Sequence, residues 1–309
     1  MACNLIKKHL NYNYMSIKQT IKKNLMINNY EFIQHIGSGS FGEVYLTKDK
    51  IGNLYASKVE EKNNKCRLKT EYNIYTKINR KNQLVGIPKV YNYIETLQYN
   101  ILIMELLGPT IESRYDECDR QIKQDTLLNL GLYMINIIEQ FHSRGFIHRD
   151  IKPNNFLLNY SKPYNKLYLM DFGLSKSYLK SDNTHIDIKI DKSLTGTARY
   201  ASLNVHMGIE PSRRDDLISI GYVLVYLAKG CLPWQGLKSD KNKTQVEKIK
   251  CKKMETSIDK LCSDLPQCMN KFLKYCSDLQ FSQRPDYNLI RNLFIEDIKK
   301  IGLSKHFEF

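Results

Sequence analysis

The dominant hydrophobic period changes from strand-like to helical at Gly108-Pro109, and that change most limits the folds open to this chain. Before it, apolar and polar residues alternate over 31–37, 43–47, 54–59, 91–95 and 100–105, the period-two pattern of half-buried strands. One stretch here, 67–78, reads instead as a helix with Leu68, Tyr75 and Ile78 near one face. After the change, Leu127, Leu130, Met134, Ile137, Ile138 and Phe141 mark an amphipathic helix that ends at Gly145. Short strands and loops are expected over 146–175, and helical patterns dominate 215–300. The pattern predicts an α+β fold in two lobes, a small β-rich one over 30–107 and a larger helical one over 108–300. No repeat at solenoid periods is present.

With 309 residues the chain can bury a large core without disulfide or metal staples. Its eight cysteines form no C-x-x-C pair and have no His at zinc-finger spacing, which argues against a zinc site. No apolar signal-peptide core stands at the N-terminus, so reduced thiols are expected. The longest apolar run, 222–228, is too short for a bilayer, which needs about 20 residues. A soluble intracellular protein, in cytoplasm or nucleus, is the expectation. Lys and Arg number 47 against 32 Asp and Glu, a net charge of +15 that suits acidic partners. The charge is scattered lysine without a nucleic-acid motif, so nucleic acid is not the expected partner. Residues 1–29 hold Lys7, Lys8, Lys18, Lys22 and Lys23 and no acidic residue. They read as a basic, flexible extension, partly helical through Ile17, Ile21 and Leu25. Residues 301–309 read as a short tail, so autoinhibition through a long one is not expected. The abundance of Ile, Asn, Lys and Tyr points to an AT-rich genome, such as that of a protist or an amoebal virus.

Gly37-Ser38-Gly39-Ser40-Phe41-Gly42-Glu43-Val44 contains G-x-G-x-x-G. A dinucleotide fold would open a helix at the last glycine. Here a strand continues, so the loop caps a hairpin whose glycines let backbone N–H groups approach phosphate oxygens. Asp49-Lys50-Ile51-Gly52-Asn53 reads as the next hairpin turn. On the returning strand, Lys58 needs an anionic partner if it faces inward, and Glu71 on the following helix suits it. That pair would aim an ammonium at the α and β phosphates, and Val44 and Ala56 would cover an adenine.

His148-Arg149-Asp150-Ile151-Lys152-Pro153-Asn154-Asn155 follows the amphipathic helix and matches H-R-D-x-K-x-x-N. Asp150 can accept the proton of an attacking hydroxyl. Lys152 can neutralise charge on the γ-phosphate, and Asn155 can offer an amide oxygen to Mg²⁺. Further on, Asp171-Phe172-Gly173 supplies a carboxylate for the same hard cation.

In this order the motifs make the chain resemble the eukaryotic protein kinases over roughly 30–300. Leu194-Thr195-Gly196-Thr197-Ala198-Arg199-Tyr200-Ala201-Ser202 resembles the casein kinase I family more closely. So do Ser212-Arg213-Arg214-Asp215-Asp216-Leu217, Leu232-Pro233-Trp234-Gln235-Gly236-Leu237 and Leu106-Leu107-Gly108-Pro109, and Ser202-Leu203-Asn204 stands where most kinases have Ala-Pro-Glu. The resemblance implies a Ser/Thr kinase that uses ATP and Mg²⁺ on acidic or phosphorylated protein segments, expected as a monomer. It implies catalysis by Asp150, Lys152 and Thr197, with metal held by Asn155 and Asp171. It implies ATP binding by Ile36, Gly37, Ser38, Gly39, Ser40, Phe41, Gly42, Glu43, Val44, Ala56, Lys58 and Glu71, by Met104 as gatekeeper, and by Glu105 and Leu107 of the hinge. Arg199 and Lys192 match positions of a substrate anion site. A further family lysine falls on Gln245, which weakens the expected phosphate priming. The usual partner of Arg284 is replaced by Asn204, leaving a surface arginine. Although Arg149 precedes the catalytic Asp, activity without activation-loop phosphorylation is expected. The second reading is a catalytically weak scaffold for acidic partners; the joint presence of Lys58, Glu71, Asp150, Asn155 and Asp171 weighs against it. A small-molecule phosphotransferase fits poorly with the peptide-docking segment at 196–200.

Overall fold

The structure, a computed structural model, describes residues 24–39, 42–62, 67–240 and 242–302. They divide into two units. One contains the chain up to Tyr72 together with Lys89–Leu106; the other contains Asn73–Pro88 and the chain from Leu107 onward.

The first unit is built on an antiparallel sheet of six strands: β1 (Leu25–Ile27), β2 (Tyr30–Gly39), β3 (Gly42–Lys48), β4 (Leu54–Glu61), β5 (Val90–Glu95) and β6 (Tyr99–Glu105). Their order is β1-β2-β3-β4-β6-β5. The period-two pattern explains the two faces. One face buries Phe32, Tyr45, Val59, Ile94, Ile101 and Ile103 together. Residues one step along lie on the other face, where Val44 pairs with Lys58 and Lys58 with Leu102, and where Ala56 pairs with Met104. The β3–β4 turn forms where expected: the Asp49 carboxylate accepts from the N–H groups of Ile51 and Asn53 at 3.0 and 2.9 Å.

Helix α1 (Leu68–Ile78) buries Leu68, Glu71, Ile74, Tyr75 and Ile78, the i, i+3, i+4 spacing of one face. The Glu60 carboxylate accepts from the N–H groups of Arg67 and Leu68 at 2.8 and 3.0 Å, satisfying donors at the helix start.

The expected helix through Leu25 is corrected. Leu25 is in β1 and pairs with Phe32. Asn28, in the turn between Ile27 and Tyr30, takes a left-handed φ of 54°, which asparagine tolerates better than most residues and which permits a tight hairpin; Asn24, just before β1, is also left-handed at 66°. Ile17 and Ile21 lie outside the described residues, as do 303–309.

The second unit packs helices around α3 (Gln124–Ser143), which ends at Ser143 with Arg144 as its C-cap. Before it stands α2 (Ile111–Glu117); after it come α4 (Leu203–His206), α5 (Arg213–Lys229), α6 (Gln245–Glu255), α7 (Ile258–Leu261), α8 (Gln267–Asp278) and α9 (Tyr287–Lys300). Helix α5 is apolar on nearly every side and is buried as the pattern requires. At Gly221 an added Cβ would lie 2.4 Å from Leu273, so glycine sets the approach of α8 to α5. Two short ladders join the helices: β7 (Phe146–Ile147) with β10 (Lys176–Ser177), and β8 (Phe156–Leu158) with β9 (Leu167–Leu169). No helix among the described residues is long and apolar enough to cross a membrane.

Phe294 of α9 is fully buried and meets Phe272 edge-on at 5.7 Å. Phe294→Ala should lower stability by roughly 3–5 kcal/mol, read as a shift of the urea midpoint with unchanged slope.

Candidate active site

In the sheet unit, Lys58 of β4 and Glu71 of α1 meet as an ion pair, Nζ to Oε2 at 2.7 Å, with side chains only 4% and 1% exposed. A buried charge without a partner would cost several kcal/mol, so each residue accounts for the other's burial. Ala56 and Met104, buried, and Val44, half-buried, share the sheet face that carries Lys58. The glycine-rich loop joins β2 to β3 with Gly37, Ser38 and Gly39 opposite Val44, Glu43 and Gly42. Glu43 accepts from Ser38 Oγ at 2.8 Å and pairs with His35, which ties the two strands below the turn. Ser40 and Phe41 lie outside the described residues. Ile36 is exposed. The Glu105 carboxylate accepts from Lys89 N at 3.0 Å, fixing the end of β6, and the half-buried Leu107 follows.

In the helical unit, the loop after β7 is built around two aspartates. Asp216, on α5, is 2% exposed and accepts from the N–H groups of His148 and Arg149 at 2.7 and 2.9 Å. Burial alone would raise its pKa, but the His142 hydrogen bond at 2.9 Å and the bound backbone donors outweigh that and hold it below the usual range. Burial keeps His142 neutral, so its Nε2–H donates to Asp216 and its Nδ1 accepts from Tyr287 Oη at 2.6 Å. Arg149 has φ 69°, a conformation non-glycine residues seldom adopt. It is held there from two sides, by Asp216 on its N–H and by Leu174 O on its Nε at 2.6 Å.

Asp150 comes next and is 6% exposed. Its Oδ1 accepts from both N and Oγ1 of Thr197, at 2.9 and 2.7 Å. Its Oδ2 accepts from Lys152 Nζ at 2.7 Å and more weakly from Asn155 Nδ2 at 3.4 Å. Thr197 can approach this closely because residue 196 is glycine: φ is +88°, and a Cβ there would stand 2.2 Å from the Arg149 carbonyl.

Asn155 spends its amide nitrogen on Asp150 O at 2.8 Å, which leaves its amide oxygen as the donor atom for a cation. Met170 N donates to Asn155 O at 3.0 Å, so the β8–β9 ladder brings Asn155 beside the residue preceding Asp171. Among the described residues no group of three His, Cys, Asp or Glu forms a closed metal cage. An amide oxygen and one carboxylate match what Mg²⁺ takes from a protein when phosphates supply the remaining oxygens. Phe172 is fully buried against Tyr75 at 4.5 Å and Phe141 at 4.8 Å, which anchors the Asp-Phe-Gly turn.

A family model described as protein kinase domain matches residues 30–294. The chain belongs to the protein kinases. For a kinase, nucleotide, divalent metal and protein substrate are the groups its site residues must serve.

Arg199 and Lys192 are both exposed but are not brought onto a common partner. Arg199 lies over the rings of Tyr200 and Tyr226 at 5.8 and 6.0 Å. Lys192 stands 3.9 Å from the buried Glu210, which also binds Lys176 at 2.8 Å. Arg284 is exposed. Asn204 and Ser202 instead bind Asp215 Oδ1 at 3.1 and 2.5 Å.

Asp215, Asp216, His142 and Glu210 all shape the site, and motif reading assigned none of them a role. For Asp215 and Asp216 the available signal was charge at the start of an otherwise apolar helix, since buried carboxylates require donors.

His206 Nε2 lies 2.9 Å from Ala198 O, and burial, aided by the nearby Lys253 charge, pushes its pKa down to about 4. An unfolded histidine titrates near 6.5. Between those values the unfolded chain binds a proton that the folded chain does not, so stability falls as pH drops from about 6.5 towards 4. His206→Gln should flatten that fall by up to one proton per molecule, read from urea midpoints at pH 7, 6 and 5.

Proposed function

We propose that this kinase is a Ser/Thr enzyme of the casein kinase I family, transferring the γ-phosphoryl of ATP to hydroxyls in acidic or already phosphorylated protein segments. The observation that carries the proposal is the double grip on Asp150, with Thr197 on one carboxylate oxygen and Lys152 on the other. Such a carboxylate is oriented before substrate arrives, which is where a transfer reaction gains most from its protein.

In this reading the backbone of the glycine-rich loop and the Lys58 ammonium, held by Glu71, bind the nucleotide phosphates. Val44, Ala56 and Met104 offer an apolar face to adenine, and the backbone at Glu105 and Leu107 orients it. Asp150 takes the proton from the substrate hydroxyl while that oxygen forms its bond to the γ-phosphorus and the bond to the ADP oxygen breaks. Lys152 balances the negative charge on the transferring group, and Thr197 keeps Asp150 aimed. Magnesium, held through Asn155 and Asp171, would supply positive charge to the phosphate oxygens.

Support for the subfamily comes from Ser202 and Asn204. They satisfy Asp215 directly, where an ion pair to Arg284 would require the acidic residue that Asn204 replaces. Support for acidic substrates comes from the exposed Arg199, whose guanidinium is suited to bidentate oxyanion contact.

Labelled phosphate should pass from Mg-ATP to casein with chain that has not been treated by an upstream kinase, and phosphoamino-acid analysis should return phosphoserine and phosphothreonine. Asp150→Asn should abolish the transfer while leaving ATP binding intact. Nucleotide binding without any transfer in the wild type would favour the scaffold instead. In the same assay, Arg199→Ala should reduce the preference for acidic over neutral peptides by at least fivefold; an unchanged ratio removes Arg199 from substrate selection.

A further inference from the structure

Among the described residues of the helical unit, one lysine is buried against backbone rather than against a carboxylate. Lys253, on α6, is 5% exposed, and its Nζ donates to Ala198 O at 3.0 Å and to Ala201 O. The same Nζ stands 4.9 Å from the ring centre of Trp234 and 5.0 Å from that of Tyr222. No carboxylate among the described residues pairs with it. Carbonyl oxygens and ring faces replace the water the amine gives up. Burial still pushes its pKa well below the ordinary lysine range.

Two other side chains hold the same stretch. Trp234 Nε1 donates to Arg199 O at 2.7 Å, and the neutral His206 gives its Nε2–H to Ala198 O. The carbonyls of Ala198, Arg199 and Ala201 are therefore tied to three separate parts of the unit. The preceding residue, Thr197, is the one whose N–H and hydroxyl sit on Asp150. A methionine would fill the space of Lys253 without its desolvation cost. What lysine adds is direction, two hydrogen bonds that fix the spacing between carbonyls at either end of a tight turn.

We propose that Lys253 is a positioning residue for phosphoryl transfer, holding the segment 197–201 so that Thr197 stays on Asp150 and Arg199 is presented to the substrate. Its effect on rate rests on the kinase reading above; its effect on the shape of the segment does not.

The test uses the full chain with Lys253→Met, and reads three quantities. Transfer to casein should fall at least tenfold in kcat. Binding of Mg-ATP, measured by titration without casein, should stay within twofold. Trypsin cleavage after the exposed Arg199 should accelerate at least fivefold while cleavage after Lys243, in the loop before α6, keeps its wild-type rate. General loosening of the fold would speed both cleavages alike, and that result overturns the proposal. So does unchanged transfer, or cleavage at Arg199 no faster than in the wild type. If the wild type itself transfers no phosphate, the kinase reading fails, and Arg199 cleavage alone decides whether Lys253 holds the segment. If circular dichroism shows Lys253→Met unfolded, Lys253→Gln, which keeps an amide donor, is taken through the same measurements with the same criteria.

Discussion

The hydrogen bonds from the His148 and Arg149 N–H groups to Asp216 are what the rest of the helical unit is arranged around. They hold Arg149 in a left-handed backbone that costs of order 1–3 kcal/mol when nothing opposes it. A charged acceptor returns roughly 1.5–3 kcal/mol for each buried hydrogen bond it receives. Two such bonds are enough to make the strained turn the stable one. That turn delivers Asp150 to Thr197 and Lys152, and its Arg149 carbonyl is the atom against which only glycine fits at position 196. The carboxylate on α5 therefore sets the backbone on which the candidate catalytic groups stand, without itself reaching the substrate.

The charged groups buried in the helical unit are satisfied in different ways, and the differences follow from their surroundings. Asp216 collects backbone and histidine donors and stays ionised. Asp215 also collects donors, from Ser202, Asn204 and the Ser212 N–H at 2.7 Å, yet its complete burial keeps its pKa raised. Lys253 takes carbonyls and aromatic faces. Each solution ties a helix to a loop: α5 to the segment before α4 through Asp215, and α6 to the segment 198–201 through Lys253. The loops are ordered less by apolar burial than by polar groups that have no cheaper place to go.

Much of this could be read from residues alone, and the part that could differed in kind from the part that could not. Local signals were sufficient for the strands, since alternation fixes a face once one side is buried, and for the Asp49 turn. The Lys58–Glu71 pair was legible because a cation on an inward strand face demands an anion and one stood on the next helix. The clustering of Asp150, Lys152 and Thr197 was foreseen from resemblance rather than from spacing, since Thr197 is distant in sequence. The strand at Leu25–Ile27 was not foreseen, because three residues carry too little period to tell a strand from a helix, and the deciding feature was left-handed asparagine. The partners of Asp216 and Lys253 were not legible for a different reason. Two of the donors to Asp216 and both acceptors of Lys253 are backbone atoms, and every residue offers those, so no pattern of side chains marks these partners in advance.

Backbone carbonyls, which no side-chain pattern marks, are what hold the segment 197–201. In the reading proposed above Arg199 meets a varying partner, and a side chain used in that way cannot also anchor the segment. Thr197 is committed to Asp150, and the guanidinium of the exposed Arg199 lies over two tyrosine rings. Fixing the backbone from behind, through Lys253, Trp234 and His206, separates the two tasks. Under the proposal above, a substitution at Arg199 would change substrate preference without releasing the loop. In the same proposal, one at Lys253 releases the loop and with it the placement of both Thr197 and Arg199. The two sets of side chains differ in burial, since Lys253 and Trp234 are buried and Arg199 is exposed.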